Sequence, residues 1–177
     1  MIYNSDKMQE QAVLQTAARM CAAARTAPKA KGVDTIRALV LTGADKDALA
    51  ERMEQIGVRD FGEKAGAWYG RDAGNVRAAQ AVVLIGAKPS YRGVRCCGFC
   101  GFENCAACKA AGGSCAMTYV DLGIALSSAA RIASEDCVDS RIMFSAGKAA
   151  MELGYEADVL WQGIPISVSG KSIFFDR

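Results

Sequence analysis

Histidine is absent from all 177 residues. Its absence removes every mixed Cys/His zinc site and the imidazole ligation of Rieske-type clusters. No general base, nucleophile–base pair or glycine-rich nucleotide loop is recognisable, so a hydrolase or kinase has no support. Net charge is nearly absent too: the formal value is +2, and the basic residues are scattered. Without a basic stripe interleaved with aromatics there is no case for nucleic-acid binding. No apolar run reaches eighteen residues, so no transmembrane helix is expected. The first residues, MIYNSDKMQEQ, carry charges and amides where a signal peptide would be apolar. Hydrophobic residues make up 51% and charged residues 23% of the chain, the profile of an ordinary globular protein. At this length one domain, residues 1–177, is the expectation.

What is plentiful is cysteine, and it is concentrated. Six of the eight cysteines lie between 96 and 115, in RCCGFCGFENCAACKAAGGSC. From Cys97 the pattern is Cys97-x2-Cys100-x4-Cys105-x9-Cys115. Clustered thiolates are soft ligands that suit iron–sulfur clusters, zinc or Cu(I). Glycines at 98, 101, 112 and 113 let a tight loop wrap a bulky group and leave backbone N–H groups free to meet sulfur. Phe99 and Phe102 alternate with the cysteines and can screen a cofactor from water. The loop, 93–115, reads as a cradle for a [4Fe–4S] cluster.

Two other readings of the loop stay open. Cys97-x2-Cys100 followed by Cys105-x2-Cys108 is a pair of CxxC motifs, as zinc modules have. Those modules, however, usually separate the pairs by a dozen or more residues, and here the spacer is four. A disulfide framework suits small secreted chains, whereas a chain of this length buries a core without staples. Six thiols for four positions leave the ligand set undecided by counting, with Cys108 the main ambiguity. Free cysteines at this density imply a reducing cytoplasm. Cys21 and Cys137 read as buried structural thiols.

Periodicity supplies the frame. Residues 5–25 read as a helix capped by Ser5 or Asp6, with Val13, Ala17, Met20, Cys21 and Ala24 at helical spacing. Residues 34–42 read as a strand, and 45–57 as an amphipathic helix with Leu49, Met53 and Ile56 on one face. Residues 60–80 suggest a broken helical region around Gly66, Gly70 and Gly74. AVVLIGA (81–87) suits a central strand covered on both faces. Two helices are expected at 116–136 and 138–154, the second stopped by Gly154. Residues 158–170 hold a last strand signal and a Gly-Ile-Pro turn. Asp121 is expected to favour the dipole of its helix, and Asp139 and Arg141 to cap or pair at the start of theirs. Trp68, Tyr69 and Trp161 read as core or interface. The alternation of helices and strands predicts an α+β fold with three layers, α/β/α, and the cysteine loop at the end of a strand.

Several blocks together resemble a known family: Cys97-Gly-x-Cys-Gly-Phe-x-x-Cys105, Gly112-Gly-x-Cys115, Asp121-Leu-Gly-Ile-Ala-Leu126, and Val138-Asp-x-Arg-Ile-Met143. Gly163-Ile-Pro-x-Ser167 and the ending Gly170-Lys-x-x-Phe-Phe-Asp-Arg177 fit it as well. It is a family of prokaryotic ferredoxin-domain proteins of unknown function. The resemblance implies that Cys97, Cys100, Cys105 and Cys115 are the cluster ligands. A second resemblance, carried by Ala27-Pro-Lys-Ala-Lys-Gly-Val-Asp34, the DLGIAL helix and the late Gly-x-Pro, is to flavin nitroreductases. It implies a nitroreductase-like fold, a homodimer and FMN at the subunit interface. The arginine-rich N-terminal motif that grips the FMN phosphate in those enzymes is missing from NSDKMQEQAV. Arg19, Arg25, Lys29, Lys31, Lys171 and Arg177 are the candidate substitutes, or else solvated surface charges. The function these features predict is a redox protein with a cysteine-ligated cluster, serving electron transfer to an unidentified partner or an oxidoreductase activity. The alternative is a non-catalytic iron–sulfur or zinc module with a structural or sensing role.

Overall fold

The structure is a computed structural model that describes residues 2–175. Helix α1, Ser5–Thr26, starts one residue earlier than its caps suggested, because the Asn4 side chain accepts the Lys7 N–H at 3.1 Å. A 3₁₀ turn at 30–32 leads to strand β1, Ile36–Leu41. Helix α2, Gly43–Ala65, buries Leu49, Met53 and Ile56 as the spacing predicts. It runs past Gly57 and kinks at Gly62, whose φ of 73° lies in the left-handed region. Helix α3, Ala67–Ala78, follows and keeps Gly70 and Gly74 inside it, so the break falls near Gly62 and Gly66 only. Strand β2, Ala81–Ala87, is buried along its whole length.

After the cysteine loop come helix α5, Ala116–Glu135, strand β3, Asp139–Ser140, helix α6, Phe144–Leu153, and strand β4, Leu160–Ser167. The predicted helix over 138–154 is therefore corrected at its start. Residues 138–143 are extended, and Asp139 and Ser140 pair antiparallel with Ser167 and Ile166. The expected Gly-Ile-Pro turn is corrected as well, since Gly163, Ile164 and Pro165 lie inside β4. Met143 and Gly163 exchange backbone hydrogen bonds, so every second residue of β4 faces the β3 side. Pro165 shares that side and has no N–H to give, which accounts for the gap in pairing between β3 and Met143. Gly154, with φ 70°, ends α6 as predicted.

The sheet has the order β1-β2-β4-β3, with every pair antiparallel. Alternate residues of β2 serve different cores. Ala81, Val83, Ile85 and Ala87 face α1 and α5, packing with Met20, Ala24, Ala125 and Ala129. Val82 and Leu84 face the other layer, with Met53, Tyr69, Ala146 and Trp161. The three layers are as predicted, and AVVLIGA is the doubly covered central strand. Phe174 is buried in the second core and its ring carries the Arg141 guanidinium, 5.7 Å from the centroid. No helix among the described residues is long and apolar enough to cross a membrane.

Candidate metal centre

The chain leaves β2 at Ala87 and stays without helix or strand until Cys105, where a short helix, α4 (Cys105–Ala110), interrupts the loop. Asn104 caps it by accepting the Ala107 N–H at 2.9 Å. Cys105 and Cys108 are one helical turn apart and share a side of α4. Gly98 and Gly101, with φ of 63° and 79°, put left-handed turns on either side of Cys100 and curl the chain around it. Cys96 adopts φ 56° without being glycine, and its thiol is exposed. Adjacent Cys96 and Cys97 thus do separate things.

Cys97, Cys100, Cys105 and Cys115 line one hollow between the loop and the first turn of α5. Its walls are otherwise mostly apolar: Val94, Phe99, Phe102, Ala116 and Met117. Cys108 does not line it. Its thiol is buried and close to that of Cys100. Burial and the nearness of Cys100, Cys115 and Cys105 push the Cys108 thiol above its ordinary range. The phenol of Tyr91 is pushed up by burial and by the same four thiols, and it donates to the Gly113 carbonyl at 2.6 Å. As the side chains lie, no three Cys, Asp or Glu groups among the described residues are arranged to hold a metal ion. Ligation would have to draw the thiols inward. The donor set, four or five thiols with no carboxylate or imidazole, suits a soft iron–sulfide group.

Three consecutive residues fix the loop, two of them to α5 and one to the stretch just before it. Ser90 exchanges two hydrogen bonds with the buried Thr118, each of 3.4 Å. Tyr91 holds Gly113. Arg92 forms an ion pair of 2.8 Å with Asp121, both side chains being 2% exposed or less. The expectation that Asp121 serves a helix dipole is corrected: it is the sixth residue of α5, faces inward, and its other oxygen accepts the Ala30 N–H at 2.9 Å. Arg92 was missed in the sequence. Nothing local in PSYRG separates a buried arginine from a surface one, and only the partner 29 residues away decides it.

The proposed phosphate-binding set is only partly brought together. Arg25 pairs with Asp34 at 2.8 Å and donates to the Ile36 carbonyl. Lys29 lies 4.0 Å from the same Asp34, and its buried ammonium donates to the carbonyls of Arg25 and Ala27, closing the end of α1. Arg19 pairs instead with Asp136 at the end of α5. Lys31 and Lys171 stand on exposed segments, and Arg177 lies outside the described residues. Of the remaining cysteines, Cys21 is half-buried against the core, and burial pushes its thiol up. Cys137 is exposed, which corrects the expectation of a buried thiol; its φ of 59° ends α5 and turns the side chain out.

The fold is that of the nitroreductases. The structure superposes on a nitroreductase with bound FMN from Desulfitobacterium hafniense DCB-2, with a TM-score of 0.56 and 15% identity over 97% of this chain and 81% of that one. It is similar in the same way to the FMN-dependent nitroreductase NfnB from Mycobacterium smegmatis, with a TM-score of 0.58 and 15% identity over 89% of this chain and 78% of the other. A model of the family described as "Uncharacterized protein containing a ferredoxin domain" (DUF2148) matches residues 111–177. Over its full length the chain is 40% identical to an uncharacterized protein of Archaeoglobus fulgidus, covering 98% of that protein. The chain belongs to this ferredoxin-domain family.

Proposed function

We propose that this is a redox protein that holds a [4Fe–4S] cluster on Cys97, Cys100, Cys105 and Cys115. The observation that carries the reading is the common hollow: the four cysteines of the 2-4-9 spacing line it together, in an otherwise mostly apolar wall. Apolar screening and backbone N–H groups are what tune such a cluster, and the glycine-rich loop supplies both. Bound there, the cluster would supply one-electron transfer. The chain's own part is to fix the thiols on a loop tied to β2 and α5, and to keep water from sulfur with Phe99 and Phe102. A ferredoxin-domain family and a fold used by FMN enzymes both favour redox chemistry over a purely structural role.

The wider reading is a homodimer in a reducing cytoplasm, with FMN held near Arg25, Lys29 and Lys31 and exchanging electrons with the cluster. Its support is the fold, together with the exposure of Phe175, Val120 and Ile124, apolar side chains that a second copy would cover. The competitor is a Cys97/Cys100/Cys105/Cys108 zinc site of structural or sensing kind, which the two CxxC motifs and the nearness of Cys108 to Cys100 would allow. Anaerobic purification decides between them. The proposal expects brown protein with about four iron and four sulfide per chain. Serine at Cys97, Cys100, Cys105 or Cys115 should empty the site, and Cys108→Ser should leave it filled. Stoichiometric zinc without iron, or loss on Cys108→Ser alone, would overturn it. Titration of the loaded protein with FMN, followed by flavin fluorescence, tests the flavin separately.

A further inference from the structure

Among the described residues lining the hollow, Arg92 alone is charged. It is 4% exposed. One terminal nitrogen donates to the Ser90 carbonyl at 3.1 Å; the other donates to the Thr35 hydroxyl at 3.2 Å and to Asp121 at 2.8 Å. The Nε–H is equally buried and has no acceptor. A guanidinium brings five donors and no acceptor. Buried donors on a cation are expensive to leave unmade, so an orphan of this kind calls for a partner. The hollow that Arg92 lines offers one chemistry in quantity, which is sulfur.

On the reading that this hollow takes an iron–sulfur cluster, we infer that Arg92 is a cofactor-contacting residue. Its Nε–H donates to a thiolate or sulfide sulfur, and its charge raises the reduction potential. The sign follows from charge: reduction adds an electron to an already anionic group, and a nearby cation favours the more negative state. Asp121 positions it. The carboxylate stands outside the hollow's lining, so the pair presents its positive end to the sulfur and its negative end to α5 and the Ala30 N–H.

The test uses the full-length, anaerobically reconstituted protein. Iron and sulfide are measured first, then the potential by dye-mediated titration. Removing the charge pair together, in the double variant Arg92→Met with Asp121→Asn, avoids stranding a buried charge. Its potential is read on the fraction that holds iron and sulfide in the wild-type ratio. At a fixed poise its reduced-to-oxidised ratio should fall about tenfold, or 59 mV for a one-electron couple. An unchanged ratio in the loaded variant would overturn the inference. Wild-type protein grown on 15N-arginine gives an independent reading. Pulsed EPR of the reduced form should show a nitrogen coupling that persists in Arg95→Lys and disappears in Arg92→Lys. No coupling in the wild type would overturn the inference even if the double variant fails to fold. If the wild type takes up no iron, the cluster reading itself fails, and metal content shows this before any potential is measured.

Discussion

Gly147 in α6 lies against Trp161 in β4 so closely that a Cβ on the glycine would stand 2.0 Å from the tryptophan carbonyl oxygen. The helix is thereby seated directly on the strand's backbone. The obstacle is main chain, so no side-chain rotation relieves it. Gly147→Ala should destabilise the protein by about 3 kcal/mol, the upper end of the usual overpacking cost. Urea midpoints of wild type and variant check this, with Gly70→Ala as control, since nothing lies within 4 Å of a Cβ there.

Asp121 is the second place where one side chain carries much. Asp121→Ala would leave the Arg92 charge buried without its partner and free the Ala30 N–H. Breaking one side of a buried pair costs about 3–5 kcal/mol. Thermal unfolding of the metal-free protein should show the loss, and Asp121→Asn should recover part of it because the amide oxygen still accepts.

Acid should weaken the join between α2 and α6. Arg59 makes two hydrogen bonds to Glu152, of 3.0 and 2.8 Å, and also engages Asp60. The Arg59 hydrogen bonds hold the Glu152 carboxyl below its ordinary range against a smaller opposing effect of burial, and the charges of Arg59 and Lys148 add to the lowering. A carboxyl depressed in the folded state stabilises above its unfolded value, near 4.3, and that stability is lost as pH falls through the folded value. Glu152→Gln should therefore be less stable than wild type at pH 7, with the gap closing below about pH 4. The effect is modest because Arg59 is half exposed and salt screens it. Denaturant midpoints across pH give the curve.

The two phenylalanines of the tail should behave differently. Phe174 is 7% exposed and packs under Arg141, whereas Phe175 is 80% exposed. Two adjacent aromatic residues so near the chain end look alike in the sequence, yet Phe174 is covered by its own chain and Phe175 is not. Phe174→Ala should cost about 3 kcal/mol, while Phe175→Ala should leave monomer stability within about 0.5 kcal/mol. If the tail also joins two copies, Phe175→Ala weakens the dimer in sedimentation without lowering the unfolding midpoint of dilute protein.

What could be read from the chain was what short-range pattern decides. Val13, Ala17, Met20 and Ala24, or Leu49, Met53 and Ile56, declare a helix face by spacing alone. The all-apolar AVVLIGA declares a strand with two covered faces, though it says nothing of direction, and all its neighbours are antiparallel. Six cysteines in one short loop stood out by composition, but which four would line a common hollow came only from the family resemblance. Pairing at a distance was not legible. Asp139 and Ser140 resemble a helix start until β4 claims them, and Pro165 resembles a turn until the gap opposite it is seen. Arg92 was hidden for the same reason, since Asp121 alone makes it a buried residue. Gly147 was equally silent in the sequence, since only its close packing on Trp161 shows why it is glycine.

The division of β2 between two cores has a consequence for how the molecule comes apart. Among the described residues, the α1/α5 core and the α2/α3/α6 core lie on opposite faces of the sheet, and the cysteine loop is tied to α5 on the first side, through Thr118 and Asp121. Emptying the loop should then loosen α5 and its neighbours while the far layer keeps its amide protection, so that the molecule opens in two stages. The loop's occupant would act as a clamp on one side of the sheet.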